Sequence, residues 1–140
     1  MSYSRRDLAV LLPALAAVKA SGQTEKTIPS TVYRYEDLPV RASGPTRQRQ
    51  TFNGANHAGF HVDLHLTELA PGEMPHAPHH HVHEEIVMLR KGTLEVTINE
   101  KVTRAGAGSV VYVASGEQHG WRNVGSEPAE YFVIALGRDS

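Results

Sequence analysis

Along most of the chain after residue 30, apolar and polar residues alternate with the period of a strand. The clearest run is "GFHVDLHLTEL" (59–69). Phe60, Val62, Leu64 and Leu66 fall on one face, and His61, Asp63, His65 and Thr67 on the other. The apolar series reads as the core face and the histidine face as solvated; the alternative has His61 and His65 lining a barrel mouth and helping to bind a substrate. "TVYRYEDLP" (31–39), rich in β-branched and aromatic residues and ending at a proline, predicts an edge strand. "RASGPT" (41–46) reads as a loop, and "RQRQTFNG" (47–54) as an alternating run that turns at Asn53-Gly54. "EIVMLRKG" (85–92) and "TLEVTINEK" (93–101) predict two strands hinged at Lys91-Gly92. After a turn at "AGAGS" (105–109) come strands at "VVYVAS" (110–115), "HGWRN" (119–123) and "AEYFVIALG" (129–137). No helical periodicity is sustained after residue 20 and no segment repeats, so the pattern predicts a single all-β sandwich or barrel.

Composition narrows the function classes. The chain has 140 residues, the size of one domain. A net charge of -1 with no basic patch argues against nucleic-acid binding. The absence of cysteine excludes disulfides, thiolate metal sites and cysteine nucleophiles. No apolar run approaches the roughly 18 residues of a membrane span, so no membrane is expected for the mature form.

The N-terminal "SRRDLAVLLPALAAVKA" (4–20) resembles a twin-arginine export signal. Ser4, Arg5 and Arg6 match, Leu8 stands where phenylalanine is usual, Ala9 departs from leucine, and Pro13 breaks the apolar run. The resemblance implies a signal over residues 1–20 and a periplasmic or secreted mature protein; the alternative is an amphipathic helix on a cytoplasmic one. Residues 21–58 are then an N-terminal arm with edge strands, and 59–137 the barrel core.

Candidate chemistry is concentrated in "HAPHHHVHEE" (76–85). In an extended segment His79 and His81 are i and i+2, so their side chains point the same way. Glu85 begins the next extended run. Two imidazoles and a carboxylate can take one face of a divalent ion and leave other positions open, and His119 in a later strand could close a fourth. By the same alternation, His80 points outward, His83 sits in the bend facing solvent or an interface, and His76 lies exposed in a proline-rich turn. Val87, Leu89 and Trp121 alternate with Glu85 and His119 and are expected as inward-facing walls of a largely apolar substrate pocket. Arg47, Arg49 and Arg122 read as solvated strand residues.

The spacing is similar to that of the cupin superfamily, whose first motif is G-x5-H-x-H-x3-4-E-x6-G and whose second is G-x5-P-x-G-x2-H-x3-N. Gly72, His79, His81, Glu85 and Gly92 follow the first with one extra residue after Gly72. Gly108, Gly116, His119 and Asn123 follow the second, with Ala114 in place of the proline. The count of six residues to Gly92 selects Glu85 over Glu84. The resemblance covers roughly residues 60–136 and implies a single jelly-roll barrel (a double-stranded β-helix). It implies one divalent transition metal (Mn, Fe, Ni, Cu, Co or Zn) held by His79, His81, Glu85 and His119. Gly72, Gly92 and Gly116 are expected at positive φ in tight turns, and Asn123 bonded to backbone rather than metal. The family's chemistry implies a small-molecule metalloenzyme of dioxygenase, isomerase or decarboxylase type, with Glu85 also handling a proton as the catalytic residue. A non-catalytic ligand-binding cupin with a structural metal, and metal sequestration by the histidine tract, are the alternatives. A homodimer paired through strand 31–38 and the N-terminal arm is the expected assembly.

Overall fold

The computed structural model describes residues 25–138, and the export-signal reading over residues 1–20 lies outside them. The regular structure of the described residues is almost entirely strand: β1 (Val40–Ser43), β2 (Thr46–Ala55), β3 (His61–Leu69), β4 (Glu84–Lys91), β5 (Thr93–Ile98), β6 (Lys101–Gly106), β7 (Val110–Val113), β8 (His119–Asn123) and β9 (Ala129–Leu136). A six-stranded antiparallel sheet runs β1-β2-β3-β9-β4-β7 and a three-stranded sheet runs β6-β5-β8. Two facing antiparallel sheets form the expected jelly roll. Between them lies a core of Leu69, Val87, Leu89, Leu94, Val96, Trp121, Tyr131 and Val133.

Three local expectations change. Residues 31–39 do not form a strand; Tyr35–Asp37 make one 3-10 turn, and the edge strand is β1, in the stretch expected to be a loop. The expected pairing of two copies through strand 31–38 therefore lacks its strand. At Asn53-Gly54 β2 continues without turning, because both residues pair in register with Asp63 and Val62. "TLEVTINEK" is not one strand but a hairpin, β5 and β6, reversing at Asn99 (φ 45) and Glu100 (φ 70). Asn tolerates the left-handed conformation that such a tight hairpin requires. Its side chain also bonds Glu117 Oε1 (2.9 Å) and accepts from the Gln118 N–H (3.1 Å).

The largest correction concerns β3. Residues paired directly across a sheet share a face. Thr67 pairs with Tyr131 and His65 with Val133, and both partners are core residues. The histidine face of β3 therefore points into the barrel. The apolar series Val62, Leu64 and Leu66 shares the outer face with Leu136, Ile134 and Phe132. Leu66 is buried there in a crevice with Tyr35 and Val40, whereas Phe60, just before the strand, is exposed.

The expected glycine roles hold at two positions that set the geometry of the site. Gly92 turns β4 into β5 at φ 91, with Ala129 so close that an added Cβ would lie 2.9 Å from its Cα. Gly116 (φ 77) turns the chain before β8 and donates its N–H to the His81 carbonyl (2.8 Å).

Candidate metal centre

The two motif segments meet through backbone. His79 and His119 form an isolated antiparallel bridge, each N–H donating to the other's carbonyl at 3.0 and 2.9 Å. With His81 anchored to Gly116, the histidine segment is tied to the start of β8 at both ends.

That anchoring brings the side chains together. His79, His81 and His119 each offer a ring nitrogen within 4.8 Å of the others. Glu85, almost fully buried at the start of β4, places Oε2 3.3 Å from His119 Nε2 and 3.6 Å from His81 Nε2. Donor atoms about 2.1 Å from a common ion stand roughly 3.0–3.4 Å apart, so these separations suit a shared coordination sphere. Two tautomers are set by neighbours. His81 Nδ1 pairs with the His83 carbonyl (2.7 Å) and His119 Nδ1 with the Glu117 carbonyl (2.9 Å). A carbonyl only accepts, so Nδ1 carries the proton and Nε2 keeps its lone pair in both rings.

Buried polar atoms almost always find a partner. Here His79 Nδ1, His81 Nε2, Glu85 Oε2 and His119 Nε2 are buried without a hydrogen bond, all within one cluster. A divalent ion held among these four residues would give such donors a partner, and a set of three imidazoles and one carboxylate is the donor chemistry such an ion takes. The electrostatics favour the donor form at His79 and Glu85. Burial lowers the His79 pKa, and the neighbouring histidines lower it further, which keeps the ring a neutral donor. Burial alone would raise the Glu85 carboxyl, but His119 and His81 outweigh it and hold the pKa below the ordinary value. Burial opposes a charge on His119, yet Glu85 and the Glu117 carbonyl leave its pKa raised.

The other cluster residues divide. His76 and His80 are exposed, as the alternation predicts. His83 does not face solvent. It stacks on His81 with ring centroids 3.6 Å apart and brings Nε2 to 3.8 Å from Glu85 Oε1, forming a second group with His81 and Glu85. The bend at 82–83 turns the ring back, and strand alternation does not describe a bend.

A cavity of about 240 Å³ lies beside Glu85. The expected apolar walls Val87 and Leu89 do not line it; both are buried in the core. Trp121 belongs to the core and also lines the cavity. The remaining wall is largely polar, with Thr46, His65, Thr67, His76 and Tyr131 prominent. Tyr131 Oη and Trp121 Nε1 are buried here without a hydrogen bond of good geometry, and burial raises the Tyr131 pKa so that its O–H remains a donor. Alternation in β9 could have marked Tyr131 as inward; the barrel-mouth alternative for the β3 histidines holds at His65, which lines the cavity with Thr67, whereas His61 pairs with Glu25. Among the described residues, no Arg or Lys lines the cavity. Arg47 pairs with Glu68 (3.6 Å), Arg49 lies over the Tyr35 ring, and Arg122 donates to the Gly72 carbonyl (2.8 Å). A larger hollow, about 640 Å³, opens by Ile98, Val110 and Tyr112, but none of the clustered histidines lines it.

Residues 65–135 match the family model described as Cupin domain. No curated protein is similar enough in sequence to count as a match. Among solved structures, the fold is similar to an RmlC-like cupin from Shewanella frigidimarina (TM-score 0.67, 14% identity, covering 82% of this chain and 95% of that one). A predicted oxalate decarboxylase from Thermotoga maritima is also similar (TM-score 0.67, 20% identity, 77% and 100% covered). So is the polyketide cyclase RemF from Streptomyces resistomycificus (TM-score 0.65, 19% identity, 80% and 82% covered). At these identities the likeness concerns the fold.

Proposed function

The chain belongs to the cupin family, and from that premise we propose that it is a small-molecule metalloenzyme whose single divalent ion is held by His79, His81, Glu85 and His119. The observation that carries the reading is the set of four buried, unpartnered donor atoms on those four residues. Bound there, the metal supplies a Lewis acid with open coordination positions for an oxygen ligand.

The chain's own groups define what the cavity accepts. Tyr131 and Trp121 bring an O–H and an N–H to the cavity wall without a hydrogen bond of good geometry, and Thr67 adds a hydroxyl on the neighbouring strand. Donors of this kind suit carbonyl, enol and hydroxyl oxygens. A cavity of about 240 Å³ lies just below the usual range of small-molecule sites, about 300–1,000 Å³. The substrate class is therefore a compact, oxygen-rich organic molecule. Isomerase, decarboxylase and dioxygenase chemistry all act on such molecules, and the solved cupins of similar fold include a cyclase and a predicted decarboxylase.

The test is metal analysis followed by turnover. The full chain, purified and reconstituted separately with each candidate metal, is expected to bind one equivalent and to turn over a member of a panel of enols, hydroxyacids and sugar derivatives. One bound ion with no turnover across the panel favours a non-catalytic ligand-binding role. Several weakly bound ions, unaffected by Glu85→Gln, favour sequestration by the histidine tract.

A further inference from the structure

We propose that His65, held by Asp63, is the proton acceptor for a hydroxyl of the bound substrate, and that the substrate is an enol or hydroxycarbonyl compound seated between His65 and the metal centre. The proposal rests on the metal-centre reading above and adds a residue outside both cupin motifs.

Strand alternation puts Asp63 and His65 on the interior face of β3. His65 Nδ1 pairs with Asp63 Oδ1 at 3.2 Å. Gln50 Nε2 donates to the same oxygen (3.0 Å), and Asn53 Nδ2 to Oδ2. Gln50 is itself held by the Phe52 and Leu64 carbonyls at 3.0 and 3.1 Å. Burial would raise the Asp63 pKa, but bonds from His65, Gln50 and Asn53 outweigh it and keep it low, so the carboxylate is ionised. An ionised carboxylate at Nδ1 fixes the N–H there and leaves the Nε2 lone pair as the basic position, the orienting arrangement of a carboxylate–imidazole pair.

The sheet places this pair on the same face as Glu85. Asp63, Ala135 and Glu85 stand in one register row, and His65, Val133 and Val87 in the next. Glu85 is thus two strands from Asp63, about 10 Å at the backbone. Ala135 is small, and the cavity between is lined by both His65 and Glu85. The groups facing His65 are Asp63 on its own strand, Gln50 on β2, Tyr131 on β9, Glu85 on β4, His76 in the loop and Trp121 on β8.

Charge balance selects the substrate. With no Lys or Arg in the wall among the described residues, a multiply charged anion meets no fixed counter-charge there beyond the metal site. A neutral hydroxyl next to a carbonyl brings its own balance. Its O–H bond breaks, the electron pair stays on oxygen, and the proton forms an N–H bond at His65 Nε2, where Asp63 stabilises the imidazolium.

The probe is maltol, a compact enol beside a carbonyl, titrated calorimetrically into the zinc-loaded full chain. Mildly alkaline conditions, where imidazole side chains are ordinarily neutral, and two buffers of different ionisation enthalpy give the proton count. Wild type is expected to release close to zero protons to buffer per maltol bound, and His65→Gln about one. Asp63→Asn is expected between the two, and His80→Gln, at an exposed position, like wild type. Zinc stoichiometry and a thermal melt confirm that each variant is folded and loaded. Equal proton counts in wild type and His65→Gln overturn the proposal, as does a loaded wild type that does not bind maltol. Failure of wild type to hold zinc overturns the metal centre itself, a different result from either.

Discussion

His79 and His119 lie far apart in the sequence, yet each donates its backbone N–H to the other's carbonyl, at 3.0 and 2.9 Å. The same two residues carry side chains of the metal cluster. Backbone pairing therefore sets the relative placement of two candidate ligands from distant parts of the chain.

Gly120 makes that pairing testable. A Cβ added there would sit 3.2–3.3 Å from three atoms of Pro78, the residue before His79. Gly120→Val is expected to push Pro78 away and loosen the bridge. Metal affinity should fall about tenfold, as when groups supporting a ligand are removed, with a smaller change in thermal stability. Competition against a chelating dye reads the affinity.

Loss of a ligand should have the opposite balance from loss of a bystander. His119→Ala and Glu85→Gln are expected to abolish stoichiometric binding, while His80→Ala, at an exposed position, keeps one ion per chain. With free metal about a hundredfold above Kd, the loaded wild type should be about 3 kcal/mol more stable than the chelator-treated protein. Urea unfolding with and without chelator measures the difference.

Asn123 is fully buried in β8 and serves the turns around the site. Its Nδ2 donates to the Leu69 and Glu127 carbonyls (3.0 and 2.8 Å), and its Oδ1 accepts from the Gly125 N–H (2.9 Å). Asn123→Ala strands these groups and leaves a cavity, so a loss of about 2–4 kcal/mol is expected in urea unfolding.

Acid stability should report the Asp63 carboxylate. Its folded pKa is depressed below 3.8, so its contribution is fully present above the unfolded value and lost as pH falls through the folded one. Asp63→Asn is expected to be less stable than wild type at neutral pH, with the gap closing below about pH 3.8. A gap that does not change with pH in thermal melts would contradict the ionised pairing.

The ligand candidates were legible in the sequence because a strand converts spacing into direction. His79 and His81 at i and i+2, and the count from Glu85 to Gly92, needed no coordinates. His83 was misread for the same reason, since it stands in a bend where that conversion fails. The Asn99-Glu100 hairpin was missed because "TLEVTINEK" carries no glycine to mark its reversal.

By itself, then, the sequence determined that the chain is a β-barrel of alternating strands and which four side chains can meet a metal. Only the tertiary structure decided which face of β3 is inside. Alternation defines two faces of a strand but not which one a second sheet covers. In β3 the polar face turned inward, because the barrel encloses a polar cavity beside the metal cluster. Its apolar face is accommodated outside, beside β9 and, at Leu66, in the crevice with Tyr35 and Val40. Hydrophobicity identifies the core where the interior is dry, and fails where the interior is a binding site.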